Sequence, residues 1–129
     1  MARDPIEHAT SLILRAKKFG FDWEGTTSAV DSVILEAQEV KEAISKEEGS
    51  QRIQEEMGDL LLSCLTLLVR EKFDVKETLI QSAKKFEKRL EALEFLTKES
   101  GFSTLHDQPV RVKLNLWKTA KERTKTSFT

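Results

Sequence analysis

An all-α fold, a bundle of about five helices, is predicted for this chain of 129 residues by three observations. Apolar residues recur three and four apart over most of the length, the spacing of one face of a helix. Helix starts and stops punctuate that pattern at Asp4-Pro5, Gly20, Gly49, Asp74, Gly101 and Pro109. Between them little room is left for strands. The length fits one domain covering residues 1–129.

Each element follows from local chemistry. Asp4-Pro5 reads as an N-cap with proline at the first helical position, opening a helix that runs to about Lys18 before Gly20 stops it. Ser28 with Asp31 resembles a capping box for a second helix. The polar run Ser45 to Ser50 contains Gly49 and predicts a turn, after which Ser50 can cap a third helix. Asp74-Val75-Lys76-Glu77 predicts the start of a long fourth helix that carries Leu79, Ala83, Phe86, Leu90 and Leu93 as a packing seam and ends near Ser100-Gly101. After a loop around Ser103 to Gln108, Pro109 can open a last helix with Val110, Leu114 and Trp117 on one side.

Assembly follows from apolar surface. The third helix is apolar on nearly every side from Leu60 to Val69, and Leu35 on the second points away from the main stripe. One hairpin layer cannot cover both. Either the terminal helices or a second subunit covers the far surfaces, and the favoured expectation is a symmetric dimer, or a dimer-based tetramer, in which central antiparallel hairpins pack into a four-helix core.

Four carboxylates carry the candidate chemistry. Glu36 and Glu39 form an E-x-x-E and Glu56 and Asp59 an E-x-x-D, placed symmetrically about the turn at 46–50. On antiparallel helices both pairs stand at one level, roughly 15 Å from the bend. Glu36 and Glu39 lie roughly 90° and 150° from the centre of the apolar stripe Val30-Val33-Ile34-Ala37-Val40-Ile44. Glu56 and Asp59 lie roughly 80° and 140° from the stripe Ile53-Met57-Leu60-Leu61-Cys64-Leu68, with the same sign. The four should therefore converge. In a chain that is 33% charged, such spacings also arise as solvated or salt-bridged acids. Asp59 favours the metal reading because it precedes the apolar run and is expected to be buried, where an unpaired carboxylate costs several kcal/mol. Gly58 adds to it, since glycine in a helix interior is better explained by close backbone packing or access to a site.

Oxygen-only donors select a hard cation, Mg²⁺ or Mn²⁺, and such an ion is commonly completed by substrate phosphates. Neither His8 nor His106 falls near the cluster, and the absence of an E-x-x-H motif disfavours a di-iron carboxylate site. Lys85 and Arg89, one turn apart on the fourth helix, fall level with the acids across the turn at 71–74, where they either neutralise phosphate or belong to a solvated basic face. Trp117 and Lys121, one turn apart on the last helix, suit a base and a phosphate, although core packing is the commoner role of such a tryptophan.

Composition excludes several classes. A formal net charge of −1 gives no general attraction to nucleic acid polymers or anionic membranes. The longest apolar run is too short to span a bilayer, and Met1-Ala2-Arg3-Asp4-Pro5 lacks a signal-peptide core. A single cysteine, Cys64, reads as a small core residue, compatible with a cytoplasmic location.

The blocks Phe21-Asp22-Trp23, Glu36-Ala37-Gln38-Glu39-Val40 with Ala43-Ile44, Glu55-Glu56-Met57-Gly58-Asp59-Leu60-Leu61, Lys85-Phe86-Glu87-Lys88-Arg89 and Leu116-Trp117-Lys118-Thr119-Ala120-Lys121 resemble, in order, those of MazG-type nucleoside triphosphate pyrophosphohydrolases. The resemblance covers nearly the whole chain, and E-E-M-G-D-L-L is its most specific block. It implies an all-α dimer or tetramer that cleaves nucleoside triphosphates to monophosphate and pyrophosphate with Mg²⁺. It also implies Glu36, Glu39, Glu56 and Asp59 as metal ligands and Lys85, Arg89, Trp117 and Lys121 as substrate-handling residues. Three positions depart from the family pattern: Leu35 replaces a further glutamate, and Thr66 and Ala83 replace asparagines.

The expected activity is thus Mg²⁺-dependent pyrophosphohydrolysis in nucleotide-pool house-cleaning, with Glu36 or Glu39 orienting the attacking water. Two alternatives stand beside it. One is a pyrimidine deoxynucleotide pyrophosphatase acting on dUTP or dCTP. The other is a non-catalytic helical module that binds nucleotide or a protein partner.

Overall fold

The computed structural model describes residues 3–125, so Met1 and Ala2 of the N-terminal reading lie outside the described residues. Among the described residues the chain is all-α: α1 (Pro5–Lys18), α2 (Thr26–Ser45), α3 (Ser50–Arg70), α4 (Val75–Glu99) and α5 (Val110–Arg123), with no strand. Two compact units share it, the first ending at Thr78 and the second beginning at Leu79, within α4. No helix of the described residues is long and apolar enough to cross a membrane.

In the first unit α1 begins where Asp4 and Pro5 predict. Asp4 Oδ1 accepts the N–H groups of Ile6 at 2.8 Å and Glu7 at 3.2 Å, satisfying two of the otherwise unpaired donors of the first turn. Lys76, in the first turn of α4, reaches back to Asp4 Oδ2 at 2.8 Å and Glu7 Oε1 at 2.7 Å. The ammonium hydrogen bond, followed by the Glu7 N–H, holds the Asp4 carboxyl below its ordinary pKa. The same two carboxylates, Asp4 foremost, push the Lys76 ammonium well above the lysine range. Asp74 caps α4 as its D-x-x-E pattern predicts, its Oδ1 accepting the Glu77 N–H at 2.8 Å.

Two other caps differ from expectation. α2 starts at Thr26 behind an extended Gly25, whose carbonyl accepts the Ala29 N–H at 3.1 Å, so Ser28 lies inside the helix rather than at its cap. α3 is preceded by Gly49 and not by a capping Ser50. Gly49 has φ 96°, a left-handed conformation that costs a side chain dearly, and glycine there lets the chain reverse after Lys46. In both cases backbone geometry at a glycine sets the start, and no side chain caps it.

The short turn makes α2 and α3 an antiparallel hairpin, and α1 packs on α3. The buried or half-buried positions of α2 include Ala29, Val33, Glu36, Val40 and Ala43; those of α3 include Ile53, Glu56, Leu60, Ser63 and Leu67. Both sets follow the alternating three-and-four spacing of a helix-packing seam. Ala29 and Ala43 are only 3% and 2% exposed, so small residues allow close approach along α2. This corrects the orientation read from the sequence: Glu36 and Glu56 lie in the buried rows rather than 80–90° away. Part of each predicted stripe is exposed, with Val30, Ile34, Ile44, Met57 and Leu61 open to solvent, while Val33, Val40, Ile53, Leu60 and Leu68 are half-buried. Cys64 is half-buried and free.

In the second unit Leu96, Thr97 and Ala120 are buried, and the Thr97 hydroxyl donates to the Leu93 carbonyl at 2.7 Å. Pro109 stands at the N-cap of α5, where its carbonyl accepts the N–H of Val112 at 3.0 Å. The α4 seam is largely uncovered in the single chain: Leu79, Ala83, Phe86 and Leu90 are exposed.

Candidate metal centre and adjoining pocket

Two helices build the acidic site. Glu36 projects from α2, and Glu56 and Asp59 lie one turn apart on α3; one carboxylate oxygen from each lies within 4.8 Å of the others. Oxygens on opposite sides of Mg²⁺ are roughly 4 Å apart at 2.0–2.1 Å per bond, so small side-chain rotations would bring this set to ligand distance. Glu39, one turn along α2 from Glu36, stands outside that trio but close enough to Glu56 to act on its charge.

The burial is distributed differently from expectation. Asp59 is exposed, because Leu61 and Leu62 beside it also face solvent, and Glu56 is the buried acid, 4% exposed. Gly58 has open space where a Cβ would be, so close backbone packing does not account for it. Burial pushes the Glu56 carboxyl above its ordinary pKa, the Arg52 guanidinium opposes this, and Glu39 and Asp59 add to the rise by repulsion. Arg52, exposed on α3 one turn earlier, contacts Glu56 Oε1 and also bonds Glu55 at 3.2 Å.

One buried oxygen of half-buried Glu36 and one of buried Glu56 have no hydrogen-bond partner: Glu36 Oε2 and Glu56 Oε2. A buried unpaired carboxylate oxygen costs a few kcal/mol. A divalent cation would satisfy both oxygens at once, and an oxygen-only donor set suits Mg²⁺ or Mn²⁺ better than zinc. The residues therefore fit such an ion. Among the described residues neither histidine joins a ligand cluster; His8 and His106 are exposed.

A cavity of about 400 Å³ opens beside the acids, with Glu36 and Asp59 in its wall. That volume is within the roughly 300–1,000 Å³ of small-molecule sites. The rest of the lining is mostly apolar, from Leu12, Ala16 and Trp23, with hydroxyls at Ser32, Ser63 and Thr66. The Thr66 hydroxyl donates to the Leu62 carbonyl at 2.9 Å, so its proton is already used within α3. Trp23 and Arg70, both in the lining, were not among the expected site residues. Trp23 belongs to a recognisable sequence block, but its place in a pocket depends on α1 packing beside α3, which periodicity alone does not reveal.

The remaining candidates lie in the second unit. Lys85 is exposed and Arg89 half-buried, one turn apart on α4. Trp117 is half-buried with its ring tilted 60° against Phe86 at a centroid distance of 6.0 Å, a packing contact of the kind the sequence allowed. Lys121 is exposed one turn on.

The model of the MazG nucleotide pyrophosphohydrolase domain matches residues 24–93, a span that holds all four acids together with Lys85 and Arg89 and stops before Trp117. The chain is also similar to the nucleoside triphosphate pyrophosphohydrolase/pyrophosphatase MazG of Thermotoga maritima, 30% identical over 122 residues. That alignment covers 92% of this chain and 46% of the relative, so the chain spans about half the length of that protein.

Proposed function

The chain belongs to the MazG nucleotide pyrophosphohydrolase family, and on that premise we propose that it hydrolyses nucleoside triphosphates to monophosphates and pyrophosphate with Mg²⁺ or Mn²⁺. The observation that carries the proposal is the pair of buried, unpartnered oxygens on Glu36 and Glu56 beside Asp59. In this reading Glu36, Glu56 and Asp59, with Glu39 adjoining, hold the cation. When bound, it supplies Lewis-acid polarisation of the phosphoryl oxygens and offsets their charge. Glu39, exposed at the edge of the cluster, or Glu36 orients the attacking water and accepts its proton.

The nucleoside part lies in the neighbouring cavity, whose apolar lining and few hydroxyls suit a base and sugar. Lys85 and Arg89 offset phosphate charge that builds up during reaction. We read Trp117 mainly as a packing residue, which its contact with Phe86 supports, and propose Lys121 as a phosphate contact. Exposed Ile34, Leu35, Met57 and Leu61 support assembly as a homodimer or a dimer-based tetramer, because a monomer would leave that apolar surface in water. House-cleaning of nucleotide pools in the cytoplasm, including a preference for dUTP or dCTP, is the narrower form of the proposal.

The test is pyrophosphate release from a panel of ribo- and deoxynucleoside triphosphates, with and without Mg²⁺, for wild type and Glu39→Gln. Metal-dependent release that Glu39→Gln largely abolishes, without loss of helix content, is expected. No turnover of any nucleotide would leave a binding module.

A further inference from the structure

The segment between α1 and α2 forms one wall of the cavity, and it is fastened from the far end of the metal-bearing helix. Arg70, the last residue of α3, donates from Nη1 to the Trp23 carbonyl at 2.8 Å and to Asp22 Oδ1 at 3.3 Å. Asp22 Oδ1 also accepts the Trp23 N–H at 2.8 Å. The pair is partly shielded, with 18% of the Arg70 and 29% of the Asp22 side chain exposed. Arg70 Nε is buried without a partner, a cost that the two bonds from Nη1 offset.

Three features give the contact a consequence for substrate. Asp22, Trp23 and Arg70 all line the cavity that Glu36 and Asp59 enter. The segment lies outside any helix, between Lys18 and Thr26; backbone bonds to α1 hold Phe19, Gly20 and Phe21, and Arg70 holds Asp22 and Trp23 that follow them. The helix that Arg70 terminates is the one that carries Glu56 and Asp59. Fastening Asp22 and Trp23 to α3 therefore sets the distance from the indole wall to the acids.

Resting on the function proposed above, we propose that Arg70 is a positioning residue for nucleoside selection: its bonds to Asp22 and Trp23 hold the cavity wall that receives the base and sugar, while the triphosphate is taken by the cation that the carboxylates would hold. The guanidinium acts through this wall and need not touch the nucleotide. Both bonds come from Nη1, and a lysine ammonium has donors enough for both but lacks the planar guanidinium's fixed placement, so Arg70→Lys retains part of the effect.

The experiment compares binding of a non-hydrolysable nucleoside triphosphate analogue with that of inorganic triphosphate, in Mg²⁺, by calorimetry. Wild type should bind the nucleotide more tightly than the inorganic chain. Arg70→Ala should lose roughly tenfold or more in nucleotide affinity, the cost of charge-assisted bonds, and hold inorganic triphosphate within about twofold. Arg70→Lys should fall between. Should Arg70→Ala fail to fold, Asp22→Asn, which removes the ion pair and keeps an acceptor, should still narrow the margin between the two ligands. Equal losses for both ligands would mean a merely structural role and overturn the proposal, as would an unchanged margin in the variants or no margin in wild type. Turnover is measured in parallel. A margin that depends on Arg70 in a protein that hydrolyses nothing would sink the catalytic reading and leave this one standing.

Discussion

Glu56 is an acid whose position costs energy in the metal-free protein. Its burial raises the carboxyl pKa, so the charged form is disfavoured in the folded state and destabilises it as pH rises through the ordinary value of 4.5 and beyond. At neutral pH, Glu56→Gln should therefore leave the metal-free melting temperature at or above that of wild type. The same substitution, and Asp59→Asn, should remove most of the rise that Mg²⁺ or Mn²⁺ gives wild type, because an ion bound to the native state stabilises by RT ln(1 + [L]/Kd). Equal metal-induced shifts in all three proteins, read by thermal melts, would take the cluster out of the account. Asp4 behaves in the opposite way. Its folded pKa is below the ordinary 3.8, so its contribution is present above that value and lost as pH falls through the lower folded value. Asp4→Asn keeps a capping oxygen but not the charge facing Lys76; it should melt below wild type at pH 7 and converge with it in acid. A gap that persists unchanged to pH 2 would contradict the assignment.

Between helices, the chain makes a distinction that its hydrophobic pattern alone does not. The antiparallel hairpin and the meeting of Glu36, Glu56 and Asp59 were legible, because a turn midway between two spaced pairs constrains their level whatever the side chains do. The direction of burial was not. A stripe of large apolar residues is the same signal whether it meets a neighbouring helix or another chain, and here Ala29 and Ala43 pack while Met57 and Leu61 do not. Asp59 was expected to be buried for the same reason, since its apolar neighbours implied a buried helix face. Likewise Ser28 and Ser50 look like caps but give way to Gly25 and Gly49, whose backbones start the turns. The exposed stripe yields a prediction: wild type should run as a dimer or larger, and Leu61→Asp should lower its mass toward the monomer with helix content largely retained, since Leu61 is 60% exposed in the single chain. Sedimentation with far-UV circular dichroism checks both. A monomeric wild type at micromolar concentration would contradict it.

For the molecule as a whole, the first unit holds an acidic cluster with two unpartnered oxygens and a cavity that shares Glu36 and Asp59 with it. Reaction at one end and recognition at the other can thus be served by neighbouring side chains of α2 and α3. The cavity was the least legible part in the sequence: Leu12 and Ala16 come from α1, Trp23 from a connection, and Thr66 and Arg70 from α3, which only the packing of those segments unites. Product identity tests the central claim most directly. Phosphorus NMR of a nucleoside triphosphate incubated with the protein and Mg²⁺ should show monophosphate and pyrophosphate growing in equal amounts, with neither formed by Glu56→Gln. Diphosphate and orthophosphate in their place would mean cleavage of the terminal phosphate and would contradict the account.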